Sequence, residues 1–546
     1  MKDNKAGNRL AKLLSTTSLA DIIQVNKWWE QPIADENEEE ERWKTLEHNG
    51  VLFPPRYEAH GVKIRFKGDE ITLDAQQEEL ATFWAQILDN DLSTKEITRK
   101  NFFKEFRKSL GERYALSVFE DFDFTPIHEL ILKIRERNKN RTTEEKKIEK
   151  EKKQKILECY GYSLIDGVSE RISNYLVEPP GIFRGRGDHP LAGKIKPRIL
   201  PEHVTLNIGP DDPVPICPLP GHAWKEVVQN NDATWLAYYK AGKSSKYVFL
   251  AANSKFKGMS DFKKYEKAKI LKNEIEKIRE DYERKLEDKS SENKQLGVAT
   301  YLIDKLALRV GNEKNEDEAD TVGCCSLRVE HIRLDEDSHI ILDFLGKDSM
   351  RYYNRIKVDE NVYQNLKIFL KGKKAEDNLF DLINAGKLND YLKSLMPGLS
   401  AKVFRTYNAS VTLQQELDKC HFATEESPEA KVSSYNEANK QVAILCNHQK
   451  TVSKNYNIQS EAMQNNLKDH ITYLLELEEH YMSFRKSKKK EKKESRNEEE
   501  GKKALKKVFP DSEEKTKKAI DSLKSKIKKF EEKMKSRVVI FNSRKN

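Results

Sequence analysis

The chain has 546 residues, of which 35% are charged and 37% hydrophobic, and its formal net charge at pH 7 is +9. At about 100 to 200 residues per domain, this length predicts two to four domains. The high polarity excludes a uniformly packed globule and predicts long solvated helices or disordered stretches beside an ordinary core.

The positive charge is concentrated at the C-terminal end. Residues 485–546 contain 24 Lys or Arg and 11 Asp or Glu, which leaves a net charge of −4 for the remaining residues. An anion site in that remainder must therefore be a local basic patch. Six cysteines without a CxxC pair indicate reduced intracellular thiols rather than a zinc site. Neither a signal peptide nor an apolar run of about 18 residues is visible, so no membrane association is expected.

The N-terminal region predicts an arm, a hairpin and several helices. Residues 1–25 are expected to be poorly ordered. Apolar alternation over 61–73 predicts a β-hairpin that turns at Gly68-Asp69. Helical spacing follows over 76–110, and the charged stretch 127–158 predicts one long exposed connector helix.

The stretch 178–258 contains clustered Pro and Gly between short β-branched and aromatic runs, which predicts loops and strands. Arg186 lies among glycines that let a backbone approach a ligand closely, although a solvated turn has the same composition. Lys246, Tyr247 and the segment 255–264 interleave basic and aromatic residues, as is typical of phosphate-contacting surfaces.

The stretch 299–332 joins an apolar helical pattern to a glycine, an acidic loop and a strand. Leu302, Leu306 and Val310 repeat every four residues, which predicts a buried helix with Arg309 at its end. A buried guanidinium needs an anionic partner because it is always charged. Taken alone, this stretch favours a structural salt bridge to the acidic loop over a ligand anion.

Further elements are predicted after residue 329. Strands around 329–344 and 351–358 flank a turn that contains Lys347. A lysine in such a turn is usually just a solvated residue. A helix begins in the segment 402–408, and another ends near His448. Taken alone, such a histidine is more often structural than catalytic.

Three helices with long charged faces are also predicted. The first covers 261–286. The second is marked by Met463, Leu467, Ile471 and Leu474, and the third has a heptad seam of Ile520, Leu523, Ile527, Phe530 and Met534. The last two predict an antiparallel hairpin, while a solvated or partly disordered basic tail remains the alternative.

Several segments between about residues 26 and 450 together resemble the eukaryotic type IB DNA topoisomerases, and they follow the order of that family. They are KWWE, EHNGVLFPP, TRKNFFKEFRK, PPGIFRGRGDHP, KLALRVGNEK, ADTVGCCSLRVEHI, FLGKDSMRYYN, KVFRTYNAS and AILCNHQ. The resemblance implies a multidomain α+β fold, a two-lobed DNA clamp with a mixed α/β cap. Its mainly α-helical catalytic lobe is related to tyrosine recombinases and is followed by an antiparallel coiled-coil linker.

The implied domains follow the chain. Residues 1–25 form a disordered arm, and 26–258 form the cap lobe with DNA-binding loops and the charged connector helix. Residues 259–455 form the catalytic core lobe, and 456–546 form the basic coiled-coil linker and tail.

In this family a tyrosine attacks a DNA phosphodiester, the 3′-phosphotyrosine intermediate allows strand rotation, and religation follows without metal, nucleotide or other cofactor. The resemblance implies that Arg309 and Arg405 bind the non-bridging oxygens, that His448 donates to them, and that Lys347 protonates the departing 5′ oxygen. Two guanidiniums, an imidazole and an ammonium are what an anionic transition state requires.

The resemblance also implies that duplex DNA, preferably supercoiled, is the partner, and it makes Arg309 a phosphate ligand rather than a salt-bridge residue. The implied DNA contacts are Arg186, Trp235, Lys246, Tyr247, Lys264, Arg309, Val310, Gly311, Asn312, Glu313, Lys314, Thr321, Lys347, Ser400, Ala401 and Lys402. A nuclear location is expected, with the mitochondrion as an additional location.

The family's nucleophile belongs to a motif of the type SKxNYxDPR after the linker, and this motif is absent from the 546 residues. The segment 453–456, SKNY, matches it partly but precedes the linker, so Tyr456 is not expected to attack. We therefore expect a small second subunit to supply the tyrosine, as in bipartite enzymes of the trypanosomatid kind. A truncated product would look the same, and a non-catalytic clamp on duplex or supercoiled DNA is the alternative function.

Overall fold

The computed structural model describes residues 42–242, 244–420, 428–448, 456–490, 510 and 512–542. The predicted arm at 1–25 and the KWWE segment lie outside these ranges. The chain divides into two compact units, the first Met1–Glu266 with Lys314–Thr321, and the second Lys267–Glu313 with Val322–Asn546.

The first unit mixes helices with short strands. Its strands are β1 (Leu46–His48), β2 (Ile64–Phe66), β3 (Asp69–Ile71), β4 (Phe122–Asp123), β5 (Tyr162–Ile165), β6 (Val168–Arg171), β7 (Gly181–Ile182), β8 (Ile195–Lys196), β9 (Val204–Asn207), β10 (Glu226–Val228), β11 (Trp235–Ala241) and β12 (Ser244–Phe249). Its helices are α1 (Ala75–Ala85), α2 (Glu96–Leu110), α3 (Thr125–Lys139) and α4 (Thr143–Tyr160), and α5 (Lys255–Leu286) begins in it.

These strands form small sheets around two apolar cores. The sheet orders are β1-β5-β6, β3-β2-β4, β7-β8 and β10-β9-β11-β12. One core surrounds Leu46 and Val204, and the other stacks Trp84 on Phe102 with ring centroids 4.6 Å apart. The β2–β3 pair confirms the hairpin predicted over 61–73.

The single connector helix predicted over 127–158 is wrong, because the segment forms the two helices α3 and α4. Thr142 ends the break between them. Its side chain accepts a hydrogen bond from the Glu145 backbone, and the Glu145 carboxylate accepts one from the Thr142 backbone. This capping box satisfies two backbone donors at the start of α4 and so restarts the helix.

The second unit is mainly helical around one three-stranded sheet. Its strands β13 (Ile332–Asp335), β14 (His339–Gly346) and β15 (Met350–Lys357) pair antiparallel in that order. Its helices are α6 (Ser291–Leu306), α7 (Glu360–Leu370), α8 (Ala385–Leu395), α9 (Ala401–Asp418), α10 (Pro428–Leu445), α11 (Tyr456–Lys490) and α12 (Glu513–Asn542). The mixed α/β class is thus confirmed.

Helix α6 ends earlier than its apolar pattern predicts. Ala307 adopts a left-handed backbone with φ of 50°, which terminates the helix three residues before Val310. Arg309 consequently lies beyond the helix and is exposed. The expectation of a buried arginine at a helix end is therefore wrong.

A buried ion pair fixes α5 against α6. The Asp304 carboxylate has no exposed side-chain surface and accepts hydrogen bonds from Arg279 Nε at 2.9 Å and from the Tyr282 hydroxyl at 3.0 Å. Burial together with the Asp304 charge raises the pKa of Tyr282, so its hydroxyl stays protonated and donates. The pair holds the last turn of α6, from which the segment carrying Arg309 departs.

Helices α11 and α12 pack with opposite chain directions. Lys524 lies 2.7 Å from Glu478, and the ring of Phe530 lies 6.1 Å from that of His470. This arrangement agrees with the predicted hairpin, while the coiled-coil seam itself stays a prediction. Among the described residues, we find no helix with the length and hydropathy needed to span a bilayer.

Replacing Asp304 by alanine should lower the free energy of unfolding by about 3 kcal/mol, because it removes the buried carboxylate that accepts from both Arg279 and Tyr282. Glu276→Ala is the matched control. Glu276 also pairs with Arg279, at 2.9 Å, but its side chain is 76% exposed, so the expected loss is about 0–1 kcal/mol. Denaturant unfolding of both variants measures the difference, and equal losses would contradict the role given to Asp304.

Candidate active site

A cavity of about 210 Å³ lies within the second unit. This volume is below the ~300–1,000 Å³ of pockets that enclose drug-sized ligands, so it suits one small group such as an oxyanion. The cavity brings together four residues predicted from the sequence, which are Arg309, Lys347, Arg405 and His448. Its other lining residues are Ala307, Leu308, Val322, Gly323, Phe344, Gly346, Asp348, Met350, Tyr352, Leu445, Cys446 and Asn447.

Arg405 is held in the cavity mainly by backbone oxygens. It lies in the second turn of α9, where Nη1 donates to the Ala307 carbonyl at 2.7 Å and Nη2 donates to the Cys446 carbonyl. Nη2 also lies 3.2 Å from His448 Nε2. These contacts use three of the five N–H groups of a guanidinium, which leaves two, the Nε–H among them, without an acceptor in the described part of the chain.

Arg309 is positioned by a close approach of two backbone segments. The Cys324 amide donates to the Arg309 carbonyl at 2.8 Å, and the Cys325 amide donates to the Val310 carbonyl at 2.7 Å. Gly323 and Gly311 touch where the segments cross, since a Cβ on Gly323 would lie 2.5 Å from the Gly311 Cα. Only glycine fits at such a crossing.

The predicted salt bridge of Arg309 is not found. Among the residues that the structure describes, its guanidinium forms no ion pair, and within the acidic loop Glu318 instead lies 3.6 Å from Lys314. The side chain is exposed at the cavity. Its charge is therefore available to a ligand.

Lys347 occupies the turn between β14 and β15, as predicted. Asp348 and Ser349 have positive φ values of 67° and 57°, which reverse the chain in a tight turn. The Val322 amide donates to the Leu345 carbonyl at 2.8 Å and attaches the hairpin to the segment after the acidic loop. The exposed Lys347 therefore lies on a turn that is attached to the segment of Val322 by this hydrogen bond.

His448 follows the C-terminal end of α10. Its backbone amide donates to the Ala443 carbonyl at 2.8 Å, and the preceding Asn447 has a left-handed backbone with φ of 48°. The Asn447 side-chain amide donates to the Arg351 carbonyl at 3.1 Å, which ties the end of α10 to the hairpin of Lys347. The ring is therefore fixed relative to the turn.

The electrostatics of the cavity favour an anion. Burial lowers the pKa of Arg405, and the charge of Arg309 lowers it further. Burial and the charges of both arginines also lower the pKa of His448, so its ring is neutral at pH 7. Asp348 adds one carboxylate to the lining. A bound phosphate-type group would offset the repulsion between the two guanidiniums, because its negative oxygens can accept hydrogen bonds from both.

The other predicted DNA contacts lie outside this cavity and in both units. In the first unit Lys246 lies 3.3 Å from Glu178, and Lys264 lies 3.3 Å from Asp261. The first-unit positions are Arg186, Trp235, Lys246, Tyr247, Lys264, Lys314 and Thr321, and the second-unit positions are Val310, Gly311, Asn312, Glu313, Ser400, Ala401 and Lys402. Ala401 is buried, while Lys402 is exposed beside it at the start of α9.

Sequence reasoning missed Tyr352, Cys446 and Asn447 as parts of this site. Strand alternation carried a signal for Tyr352, because the β14–β15 register pairs it with Phe344 on one face. Cys446 and Asn447 had no such signal, because Cys446 contributes its backbone carbonyl and Asn447 contributes a left-handed turn. Within the described residues, no group of three or more His, Cys, Asp or Glu could hold a metal ion.

Comparison with known proteins gives two family matches. "Eukaryotic DNA topoisomerase I, DNA binding fragment" matches residues 41–250, and "Eukaryotic DNA topoisomerase I, catalytic core" matches residues 253–481. The second match contains all four predicted residues of the cavity.

Individual relatives carry the same name. The chain is 50% identical over 427 residues to DNA topoisomerase 1 beta of Arabidopsis thaliana, which covers 78% of this chain and 46% of that protein. It is 48% identical over 441 residues to DNA topoisomerase 1 of Candidozyma auris, covering 79% and 58%. It is 45% identical over 495 residues to DNA topoisomerase 1 of Homo sapiens, covering 88% and 62%. The chain thus spans about half to three-fifths of the length of these relatives.

Gly323→Ala should open the backbone crossing that positions Arg309. The added Cβ would lie only 2.5 Å from the Gly311 backbone, so the two segments must move apart. We expect the free energy of unfolding to fall by about 1–3 kcal/mol and the binding of inorganic phosphate to weaken. Gly346→Ala is the control, because that glycine also lines the cavity but its Cβ would meet nothing closer than 3.6 Å. Denaturant unfolding and phosphate titration measure both variants, and a Gly323→Ala protein as stable as the control would contradict the crossing.

Proposed function

This chain belongs to the eukaryotic DNA topoisomerase I family, and we propose that it is the DNA-binding and phosphodiester-activating part of an ATP-independent type IB topoisomerase. The observation that carries the proposal is the convergence of Arg309, Lys347, Arg405 and His448 on one small cavity. These donors come from four separate elements, and the cavity they share is smaller than the pockets that enclose drug-sized ligands.

The proposed chemistry follows from the charges. When a hydroxyl attacks a phosphodiester, negative charge increases on the non-bridging oxygens, and donors aimed at those oxygens lower the barrier. Arg309 offers a guanidinium that forms no ion pair with the described residues, and Arg405 offers its two remaining N–H groups. Both charges are present before the substrate arrives, so little reorganisation is needed when the charge develops.

Lys347 would supply the proton for the departing 5′ oxygen. An alkoxide is a poor leaving group at neutral pH, so protonation as the bond breaks accelerates cleavage. The position of Lys347 at a hairpin turn beside the cavity supports this role, since the turn lets a flexible ammonium reach an oxygen on one side of the phosphate.

His448 would contribute a further hydrogen bond to the phosphate. Its Nε2 lies 3.2 Å from Arg405 Nη2, so a neutral ring accepts there and carries its proton on Nδ1. Donation from Nε2 to a phosphate oxygen therefore requires the ring to gain a proton or to change tautomer. A bound anion favours the gain, because it offsets the two arginine charges that lower the pKa of His448.

The attacking tyrosine is proposed to come from outside these 546 residues. Tyr456 starts α11 and does not line the cavity. A separate small subunit remains our proposal for its source, although the named relatives give it no support, since each is a single polypeptide longer than the matched region. From the same family resemblance we also propose a two-lobed clamp, a nuclear location and a coiled-coil linker formed by α11 and α12.

Plasmid relaxation without ATP or Mg²⁺ tests the function. The chain alone is expected to leave a supercoiled plasmid unchanged, and addition of a polypeptide with an SKxNYxDPR motif is expected to give relaxation. Arg405→Ala should then lower the rate by roughly 10²–10³-fold, as loss of one transition-state donor does. Arg355→Ala is the control, because Arg355 lies on the hairpin of Lys347, does not line the cavity and pairs with Asp335 at 2.6 Å.

Three outcomes would change the proposal. Relaxation by the chain alone would place the nucleophile within it and make Tyr456→Phe the next variant. Salt-sensitive duplex binding without relaxation in any combination would favour the non-catalytic clamp. Equal activity of the Arg405→Ala and Arg355→Ala proteins would remove Arg405 from the mechanism.

Lys347→Ala should slow single-turnover cleavage by roughly 10²–10⁴-fold while duplex affinity is nearly unchanged, because a general acid acts mainly in the transition state. A DNA substrate with sulfur at the bridging 5′ position should restore the rate, since a thiolate leaves without a proton. Lys357→Ala, at the far end of β15, is the matched control. Failure of the sulfur substrate to rescue the variant would exclude the proton-donor role.

A further inference from the structure

Tyr352 lines the cavity and carries a hydroxyl that the mechanism above does not use. Its side chain lines the cavity beside Arg405, and its oxygen accepts a hydrogen bond from the Asn354 side-chain amide at 3.3 Å. Within the described residues, its own O–H proton has no acceptor. Tyr352 is partly buried, and a ligand atom in the cavity would be a suitable acceptor for this proton.

The strand geometry fixes which way this residue faces. Tyr352 lies opposite Phe344 in the β14–β15 register, and the two rings stack with centroids 5.0 Å apart. The next residue, Tyr353, points to the other face, where it is 57% exposed and lies under the Arg351 guanidinium. Strand alternation therefore separates two adjacent tyrosines into one that lines the cavity and one that does not.

The surroundings of Tyr352 keep it a donor. Burial raises its pKa, while the hydrogen bond from Asn354 and the charge of Arg405 offset part of that rise. The phenol is thus protonated at neutral pH. Because Asn354 occupies a lone pair on the oxygen, the O–H proton is directed away from Asn354.

We propose that the Tyr352 hydroxyl is a further hydrogen-bond donor to a phosphate oxygen bound in this cavity, acting with Arg309, Arg405 and His448. The inference rests on the proposed function, because it takes the ligand of the cavity to be a DNA phosphate. It adds a neutral donor to the charged ones. A neutral hydroxyl contributes a directional bond without increasing the repulsion between the two arginines.

A nicked duplex oligonucleotide with either a 3′-phosphate or a 3′-hydroxyl at the nick tests the inference with the intact chain alone. The ratio of the two affinities isolates the contribution of the phosphate, since the rest of the DNA is identical. Tyr352→Phe removes only the hydroxyl and keeps the stacked ring. We expect this variant to lower the ratio by roughly tenfold or more, the effect of losing a hydrogen bond to a charged group.

Tyr353→Phe is the matched control and should leave the ratio unchanged, because that hydroxyl lies outside the cavity. Thermal unfolding of both variants should match the parent protein, which excludes a folding defect as the cause. An unchanged ratio in Tyr352→Phe, together with a lowered ratio in Arg405→Ala, would overturn the inference and leave the proposed function intact. A parent protein that does not prefer the 3′-phosphate would overturn both.

Discussion

Two arginines share one small cavity, and neither forms an ion pair within the described residues. Burial and the neighbouring charge of Arg309 both lower the pKa of Arg405, so holding the two guanidiniums together costs free energy. A protein can maintain such a pair only if other interactions fix the side chains. Around this cavity those interactions are mainly bonds to or between main-chain groups, which orient the guanidiniums without cancelling their charge.

The supporting structure accounts for this arrangement. The Asp304–Arg279 pair holds the end of α6 against α5, and the left-handed Ala307 then turns its carbonyl toward Arg405. The touching glycines at 311 and 323 fix the course of the segment that carries Arg309. Asn447 connects the end of α10 to the hairpin of Lys347. The Ala307–Arg405 and Arg351–Asn447 links join residues more than 90 positions apart in sequence, so the site exists only when the second unit is folded.

Part of this structure could be predicted from the sequence. Apolar alternation was sufficient for the hairpin over 61–73, and turn composition was sufficient for the turn at Lys347, because both signals are local. The break between α3 and α4 also had a local signal, the Thr142–Glu145 capping pair, which the charged composition of the segment obscured. The four cavity residues were found through family motifs, since local reasoning favoured ordinary structural roles for Arg309, Lys347 and His448.

Other features had no local signal. The apolar repeat continues to Val310, but α6 ends at Leu306 because tertiary contacts select a left-handed Ala307, a conformation that alanine itself disfavours. The exposure of Arg309 follows from that ending. Two of the three acceptors that surround Arg405 are main-chain oxygens, and every amino acid carries one. A substitution at position 307 or 446 therefore leaves the acceptor atom itself in place, and it can disturb Arg405 only by moving the backbone, through the left-handed turn at 307 or the buried packing of either side chain.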